Sequence, residues 1–145
     1  MKFSNEAMRD TLMFLEEKVI HKHDDSTFEQ DGFTVYLIVE DEFFSELFSK
    51  HKYSKDELSY TIEKMLEGGL LNYSGNLNSY YQITDISFYG IQLLEKIRPE
   101  STWEKTKSIA NKVGNHTLNF IEDTAQKIAV TSAAALIANI SNKTG

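Results

Sequence analysis

Side chains that could do chemistry are densest in HKHDD at residues 21–25, where two histidines stand beside two carboxylates. Imidazole and carboxylate groups are ligands for zinc and related divalent metals, so this segment could hold a metal ion. The alternative is a solvated helix end, where a histidine is also favourable as a cation beside the last carbonyl groups. We favour the helix end and expect neither a metal nor a cofactor in this protein.

The other polar groups have simpler interpretations. EDE at residues 40–42 resembles a pair of catalytic acids, but acids that open a helix are stabilised there by the helix dipole. His51 and His116 stand alone beside predicted turns. The chain contains no phosphate-binding loop, no G-x-S-x-G and no H-E-x-x-H. We therefore expect no catalytic residues and a protein that is not an enzyme.

Length and composition indicate a single compact domain, with room for an appended helical arm. The 145 residues include no cysteine, which excludes disulfides, thiolate zinc sites and cysteine nucleophiles. No apolar stretch follows Lys2, so we expect no signal peptide. The longest apolar run, residues 128–140, is shorter than the roughly 20 residues needed to cross a bilayer. These features favour a cytoplasmic protein without a membrane segment.

The net charge of −7 is unevenly distributed. Residues 1–53 hold 6 Lys and Arg against 12 Asp and Glu, residues 54–98 hold 4 against 6, and residues 99–145 hold 5 against 4. Binding to a phosphate backbone depends on clustered cations that displace counterions. No such cluster is present in the sequence.

The first third of the chain predicts a helix, a strand and a second helix. Apolar residues spaced by three and four predict the helix at 5–21, through Met8, Leu12, Leu15 and Val19. The β-branched and aromatic run FTVYLIV at 33–39 predicts the strand. The second helix is predicted at 41–51, with Phe44, Leu47 and Phe48 on one face.

The middle of the chain predicts a helix followed by a hairpin. Ser54 and Glu57 form a capping-box pattern ahead of an apolar face, so a helix is expected at 54–68. The inward residues of this helix are Leu58, Ile62, Met65 and Leu66. Gly68 and Gly69 are expected to end it in left-handed backbone. Two strands then flank a turn rich in asparagine and glycine at 74–78.

Three more helices are predicted towards the C-terminus. The first begins near residue 85 or 87, places Ile91, Leu94 and Ile97 on one face, and ends before Pro99. The second spans 102–113 and stops at Gly114. The third spans 117–141 and is rich in alanine.

This order of elements predicts a mainly α fold with a small β-hairpin, in the α+β class. We expect a winged helix-turn-helix domain at residues 1–98, in which the hairpin at 74–80 is the wing. A C-terminal extension of two helices follows at 99–145.

Three stretches carry a resemblance to a known family: MKFSNEAMRDTLMFLEE at 1–17, YTIEKMLEGGLL at 60–71 and GIQLLEKIRPESTWEKTK at 90–107. They resemble the phage and bacterial family known as domain of unknown function 2513. The resemblance implies a winged-helix-like fold and a mobile-element setting, and it brings no established activity. In that family a histidine commonly occupies the positions of Thr61 and Ile91.

The outward face of the helix at 54–68 is the first candidate for binding a partner. Its residues, with two from the wing, are Lys55, Ser59, Tyr60, Glu63, Lys64, Asn76 and Asn78. Lysine, serine and tyrosine could contact phosphates and base edges, but the neighbouring acids repel phosphate and the wing has no Lys or Arg. We favour a protein partner, from the host or the phage. The alternative is a sequence-specific DNA-binding regulator that uses the helix at 54–68 and the wing at 74–80.

The last helix is the second candidate, for self-association. From residue 128 onward it is apolar on nearly every side, which is more than one domain surface can cover. The residues expected to join two copies are Ile128, Ala129, Ala133, Leu136, Ile137 and Ile140. We expect a homodimer or larger assembly. For residues 117–127 we favour packing onto the protein's own domain.

Overall fold

The structure is a computed structural model that describes residues 2–24, 53–76 and 80–144. Within these ranges the description of side chains leaves out 18–24, 74, 76, 80–82 and 133–144. The chain divides into an N-terminal unit, Met1–Leu94, and a C-terminal unit, Glu95–Gly145, whereas the sequence places the boundary at residues 98 and 99.

Several predictions from the sequence lie outside the described residues. They are the strand at 33–39, the helix at 41–51, the acids at 40–42, His51 and Asn78. The side chains of the HKHDD segment at 21–25 also lie outside the description, so its metal-binding potential stays a prediction.

The described residues are mainly helical, with a small two-stranded antiparallel sheet. This agrees with the predicted α+β class. The elements are α1 (Asn5–Asp24), α2 (Lys55–Glu67), β1 (Leu71–Asn76), β2 (Tyr80–Ile86), α3 (Phe88–Ile97), α4 (Glu100–Val113) and α5 (Leu118–Thr144).

Helix α1 begins at a serine that also ties it to α2. The Ser4 hydroxyl accepts a hydrogen bond from the Ala7 amide at 3.1 Å, which satisfies one of the free donors of the first turn. The Ser4 amide in turn donates to the Thr61 hydroxyl on α2 at 3.2 Å. Met8, Leu12 and Leu15 are fully buried, as their spacing predicts. The cap and the buried face together fix α1 against α2.

Helix α2 confirms the predicted N-cap and inner face. The Ser54 hydroxyl accepts from the Glu57 amide at 3.1 Å. Its four predicted inward residues, Leu58, Ile62, Met65 and Leu66, are all buried. The predicted end of the helix needs a correction, because only Gly69 is left-handed, at φ +79°, whereas Gly68 is right-handed at φ −81°.

The turn after α2 leads directly into the hairpin. The Leu70 amide donates to the Met65 carbonyl at 2.9 Å and the Gly69 amide donates to Leu66 at 3.2 Å, the pattern of a Schellman ending. Strand β1 then pairs with β2 from Leu71 opposite Ile86, with a bulge at Thr84 of β2, opposite the step from Asn72 to Tyr73. The bulge increases the local twist of the hairpin.

Helix α3 starts at Ser87, whose hydroxyl accepts from the Gly90 amide and donates to the Gly69 carbonyl. The buried face of α3 contains Gly90, Leu93, Leu94 and Ile97. The predicted face is therefore wrong in one member, since Ile91 is 41% exposed. The reason is Gly90, which lies so close to the Leu70 carbonyl that it sets which side of α3 faces inward.

In the C-terminal unit, α4 and α5 form a helical hairpin. Gly114 ends α4 in left-handed backbone at φ +75°, and its amide donates to Ala110 at 2.8 Å. Thr117 opens α5 by accepting the Phe120 amide at 3.4 Å. Such a short connection between two helices makes them antiparallel neighbours. Helix α4 begins at Glu100, slightly before the predicted residue 102.

The buried residues of this unit come from one stripe on each helix. They are Thr102, Trp103, Thr106 and Ala110 on α4, and Ile121, Thr124 and Ala125 on α5. Lys96 also pairs with Glu122 of α5 at 2.8 Å. Two apolar residues of α4, Ile109 and Val113, are exposed instead, at 36% and 61%.

In the parts of the chain that the structure describes, no helix is both long and apolar enough to cross a membrane.

Candidate interaction surfaces

The outward face of α2 carries the predicted partner-binding residues. Lys55, Glu63 and Lys64 are exposed, and Ser59 and Tyr60 are half-buried. Glu63 and Lys64 lie away from the buried residues Leu58, Ile62, Met65 and Leu66. Lys55 and Ser59 precede Ile62 and Leu66 by seven residues and therefore lie beside the buried face. The five side chains thus spread from the edge of the buried face to the far side of α2. Asn76 is the last residue of β1, with its side chain outside the description.

Lys64, one of the two lysines on this face, is engaged by a neighbouring acid. Its ammonium group lies 3.0 Å from Glu67 Oε2 and 5.5 Å from the centre of the Tyr60 ring. The hydrogen bond and charge of Glu67 raise the pKa of Lys64 above its usual value. The lysine stays protonated, but its charge is partly balanced by Glu67. A phosphate of an approaching nucleic acid would therefore contact an ion pair and not an isolated cation.

The remaining charges of α2 are mostly negative. The helix carries two lysines and four carboxylates, from Asp56, Glu57, Glu63 and Glu67. Acids in the first turn are favourable for the helix itself. They are unfavourable for a polyanionic ligand approaching the same helix, because phosphate binding requires cations.

A tyrosine beside the start of α2 lies close to carboxylates of both α1 and α2. The Tyr53 hydroxyl donates to Asp10 Oδ2 on α1 at 2.6 Å. Burial raises the pKa of Tyr53 well above its usual value, and so do the hydrogen bond to Asp10 and the charges of Asp10, Glu6 and Glu57. These carboxylates come from both α1 and α2, so the acidic character extends beyond one helix.

The starts of α1 and α2 line a shared groove with a volume of about 480 Å³. Helix N-termini can bind anions through their free amides. Here Ser4 and Ser54 each occupy an amide, and Asp56 and Glu57 supply carboxylates at the groove. The groove is therefore poorly suited to an anion.

Helix α3 presents an apolar surface that sequence reasoning missed. Phe88 is 75% exposed and Ile91 lies one turn further along. The sequence of α3 contains two sets of apolar residues at helical spacing. One set is Phe88 and Ile91, and the other, which faces inward, is Gly90, Leu93, Leu94 and Ile97. Recognising Gly90 as a point of backbone contact would have assigned Phe88 to the surface.

Comparison with known proteins identifies the family of the chain. The family described as "Hypothetical protein (DUF2513)" matches residues 2–116, well over half of the chain. The chain belongs to the DUF2513 family. No curated protein and no solved structure matches it.

The DUF2513 match includes α2, the hairpin, α3 and α4, and it ends just before α5. The predicted self-association residues thus lie beyond the DUF2513 region. Ile128 is half-buried, and Ala129 is exposed. The other four, Ala133, Leu136, Ile137 and Ile140, lie on the helical backbone of α5 with side chains outside the description.

Within the described part of this DUF2513 chain, no three histidine, cysteine, aspartate or glutamate side chains are grouped so as to hold a metal ion. His116, at the end of the DUF2513 match, is exposed in the connection between α4 and α5.

Proposed function

We propose that this protein is a non-catalytic winged-helix interaction protein, encoded by a phage or another mobile element, that binds a protein partner and self-associates. The winged-helix assignment is supported by α2 followed at once by an antiparallel hairpin, with α1 packed on both. In such a fold α2 is the recognition helix and the hairpin is the wing.

The observation that carries the choice of a protein partner is the charge of α2, which has four carboxylates and two lysines, one of them paired with Glu67. A recognition helix that reads DNA contributes lysines and arginines to phosphates and base edges. On α2 one of two lysines is held by an acid of the same helix, and the helix carries three further carboxylates. A duplex would meet more negative than positive charge there.

Phe88 and Ile91 on α3 supply a feature that a protein partner could use. Large apolar side chains that are exposed in the free protein are typical anchors of protein interfaces, because they lose their water contact on binding. The exposed surface of Phe88 is far greater than that of most apolar residues in the described part. We place the centre of the partner-binding surface at Phe88 in the N-terminal unit.

This proposal can be tested by affinity capture of the full chain from lysate of the bacterial host, with and without nuclease. Phe88→Ser should lose the captured protein, whereas Gln92→Ser, at an exposed polar position of the same helix, should retain it. Circular dichroism would establish that both variants are folded. Capture that disappears on nuclease treatment, or that is unaffected by Phe88→Ser, would contradict the proposal and favour the DNA-binding alternative or another surface.

A further inference from the structure

Helix α5 is much longer than the helix it packs against. It has 27 residues, whereas α4 has 14. At 1.5 Å per residue, α5 is about 40 Å long and α4 about 21 Å. Because the two are antiparallel from the turn at Gly114, α4 reaches only to about residue 131 of α5. About half of α5 therefore extends past α4, and we call residues 132–144 the overhang.

The overhang has an unusual composition for a segment that extends past the helix beside which α5 packs. Residues 133–140 are AAALIANI, with seven apolar residues and one asparagine. The overhang contains no acid and a single lysine, Lys143. A helical stretch with one polar residue in eight is stable in water mainly when another surface covers its apolar side chains.

A groove of matching character lies between α4 and the first half of α5. Its volume is about 440 Å³. Its apolar residues are Ile109, Phe120 and Ile128, each of which retains some exposure to solvent. Lys105 and Lys127 lie at the groove, where their aliphatic stems can cover an apolar helix while their charges stay in water.

We propose that the groove of one copy receives the overhang of a second copy, so that two chains form an antiparallel dimer along α5. This inference rests on the proposed self-association and names its contact surface. Each end of the dimer is then a three-helix bundle of α4, the first half of α5 and the partner's overhang. Because the overhang of each copy lies in the groove of the other, both apolar surfaces are covered in the dimer.

The lengths fix the alignment of the two α5 helices. When Leu118 of one copy lies opposite Thr144 of the other, the helices cross at Thr131, where the groove ends and the overhang begins. The groove residues Thr124, Ile128 and Thr131 are spaced by four and three. The same spacing continues at Ala135 and Ala138, and small residues allow the helices to approach closely.

The first test is sedimentation of the full chain at tens of micromolar. A dimer is expected. Ile109→Lys, which places a charge in the groove, should yield a monomer. Val113→Lys is the matched control, because it adds the same charge to an exposed apolar position of α4 that does not line the groove. The control should remain a dimer.

The second test uses the absence of cysteine from the natural chain. Under oxidation two copies of the Thr131→Cys variant should form a disulfide with each other, because this position lies where the two α5 helices cross. Thr124→Cys and Ala138→Cys should cross-link when the two variants are mixed and not when either is alone. These experiments require no assumption about the folding of the Ile109 variant.

The outcomes separate the two proposals. A wild-type monomer would overturn self-association and the groove exchange together. A dimer that persists in Ile109→Lys, or in which Thr124→Cys links efficiently to itself, would overturn only the antiparallel exchange. Neither result bears on partner binding through Phe88.

Discussion

At the scale of single residues, Gly90 has the clearest structural role. A Cβ atom at this position would collide with the Leu70 carbonyl oxygen and with the Ile86 side chain at 2.8 Å. The backbone oxygen cannot move aside without disturbing the turn after α2. The close approach of α3 to Leu70 therefore depends on the absence of a side chain.

Gly90→Ala should lower the free energy of unfolding by about 2 to 3 kcal/mol, the upper part of the range for overpacked sites. Gly69→Ala is the comparison, because Gly69 has positive φ but open space around it, and it should cost about 1 to 2 kcal/mol. Urea denaturation of both variants measures the difference. A Gly90 variant as stable as the wild type would contradict the close packing of α3.

Tyr53 makes its own burial and its hydrogen bond to Asp10 measurable. Its pKa is raised in the folded protein above the ordinary tyrosine value of 10.0. The native state therefore keeps a proton that the unfolded chain releases, so stability is present below pH 10.0 and falls as the pH rises above it. In a spectrophotometric titration, the tyrosinate absorbance of the wild type that is missing in Tyr53→Phe should appear at a pH well above the ordinary pKa of tyrosine. A difference curve centred near pH 10.0 would contradict both the burial of Tyr53 and its hydrogen bond to Asp10.

At the scale of elements, hydrogen bonds at the ends of α2 and α3 fix the positions of the helices and of the hairpin in the N-terminal unit. Ser54 begins α2, the Gly69 turn ends it, and Ser87 links that turn to the start of α3. Each contact satisfies a backbone group that the end of a helix would otherwise leave free. The hairpin is thus positioned by hydrogen bonds at both of its ends.

Ser54→Ala should destabilise the protein by about 1 kcal/mol, because the amide of Glu57 loses its acceptor. Ser59→Ala, in the interior of the same helix, should change stability little, since alanine favours a helix. Thermal unfolding followed by circular dichroism compares the two. Equal effects would show that the cap at Ser54 contributes nothing specific.

Much of the element structure could be predicted because it depends on local chemistry. The cap at Ser54, the buried face of α2 and the stop at Gly114 each follow from a few neighbouring residues. The face of α3 could not be predicted in the same way. It is decided by Leu70, which is distant in sequence, and periodicity alone placed Ile91 inside. The length of α5 relative to α4 was also implicit in the sequence, but the groove at Ile109 and Phe120 required the packed helices.

At the scale of the whole molecule, charge is the main argument about function. The chain carries 22 acids against 15 lysines and arginines. The structure adds that one of the two lysines of α2, Lys64, is paired with Glu67. Lys55 is the other lysine of this helix. The partner-binding surface proposed at Phe88 is apolar and does not depend on that charge.

Reversal of the acids on α2 should reveal whether charge is what excludes DNA. A variant with Glu63→Lys and Glu67→Lys should gain duplex binding that weakens as salt is added, because it places additional cations beside Lys64. The exposed pair Glu95→Lys and Glu104→Lys, in the C-terminal unit, makes the same change in net charge and is the control. Equal binding by both variants would show that net charge, rather than the α2 surface, controls DNA affinity.

The most direct test of the central claim is a fluorescence anisotropy titration of a labelled duplex of mixed sequence with the wild-type protein at low salt, where phosphate contacts are strongest. We expect no saturable binding up to about 100 µM protein, the weak end of the usual range for non-specific DNA binding. Micromolar affinity that falls steeply as salt is added would contradict the claim and identify the protein as a DNA-binding regulator.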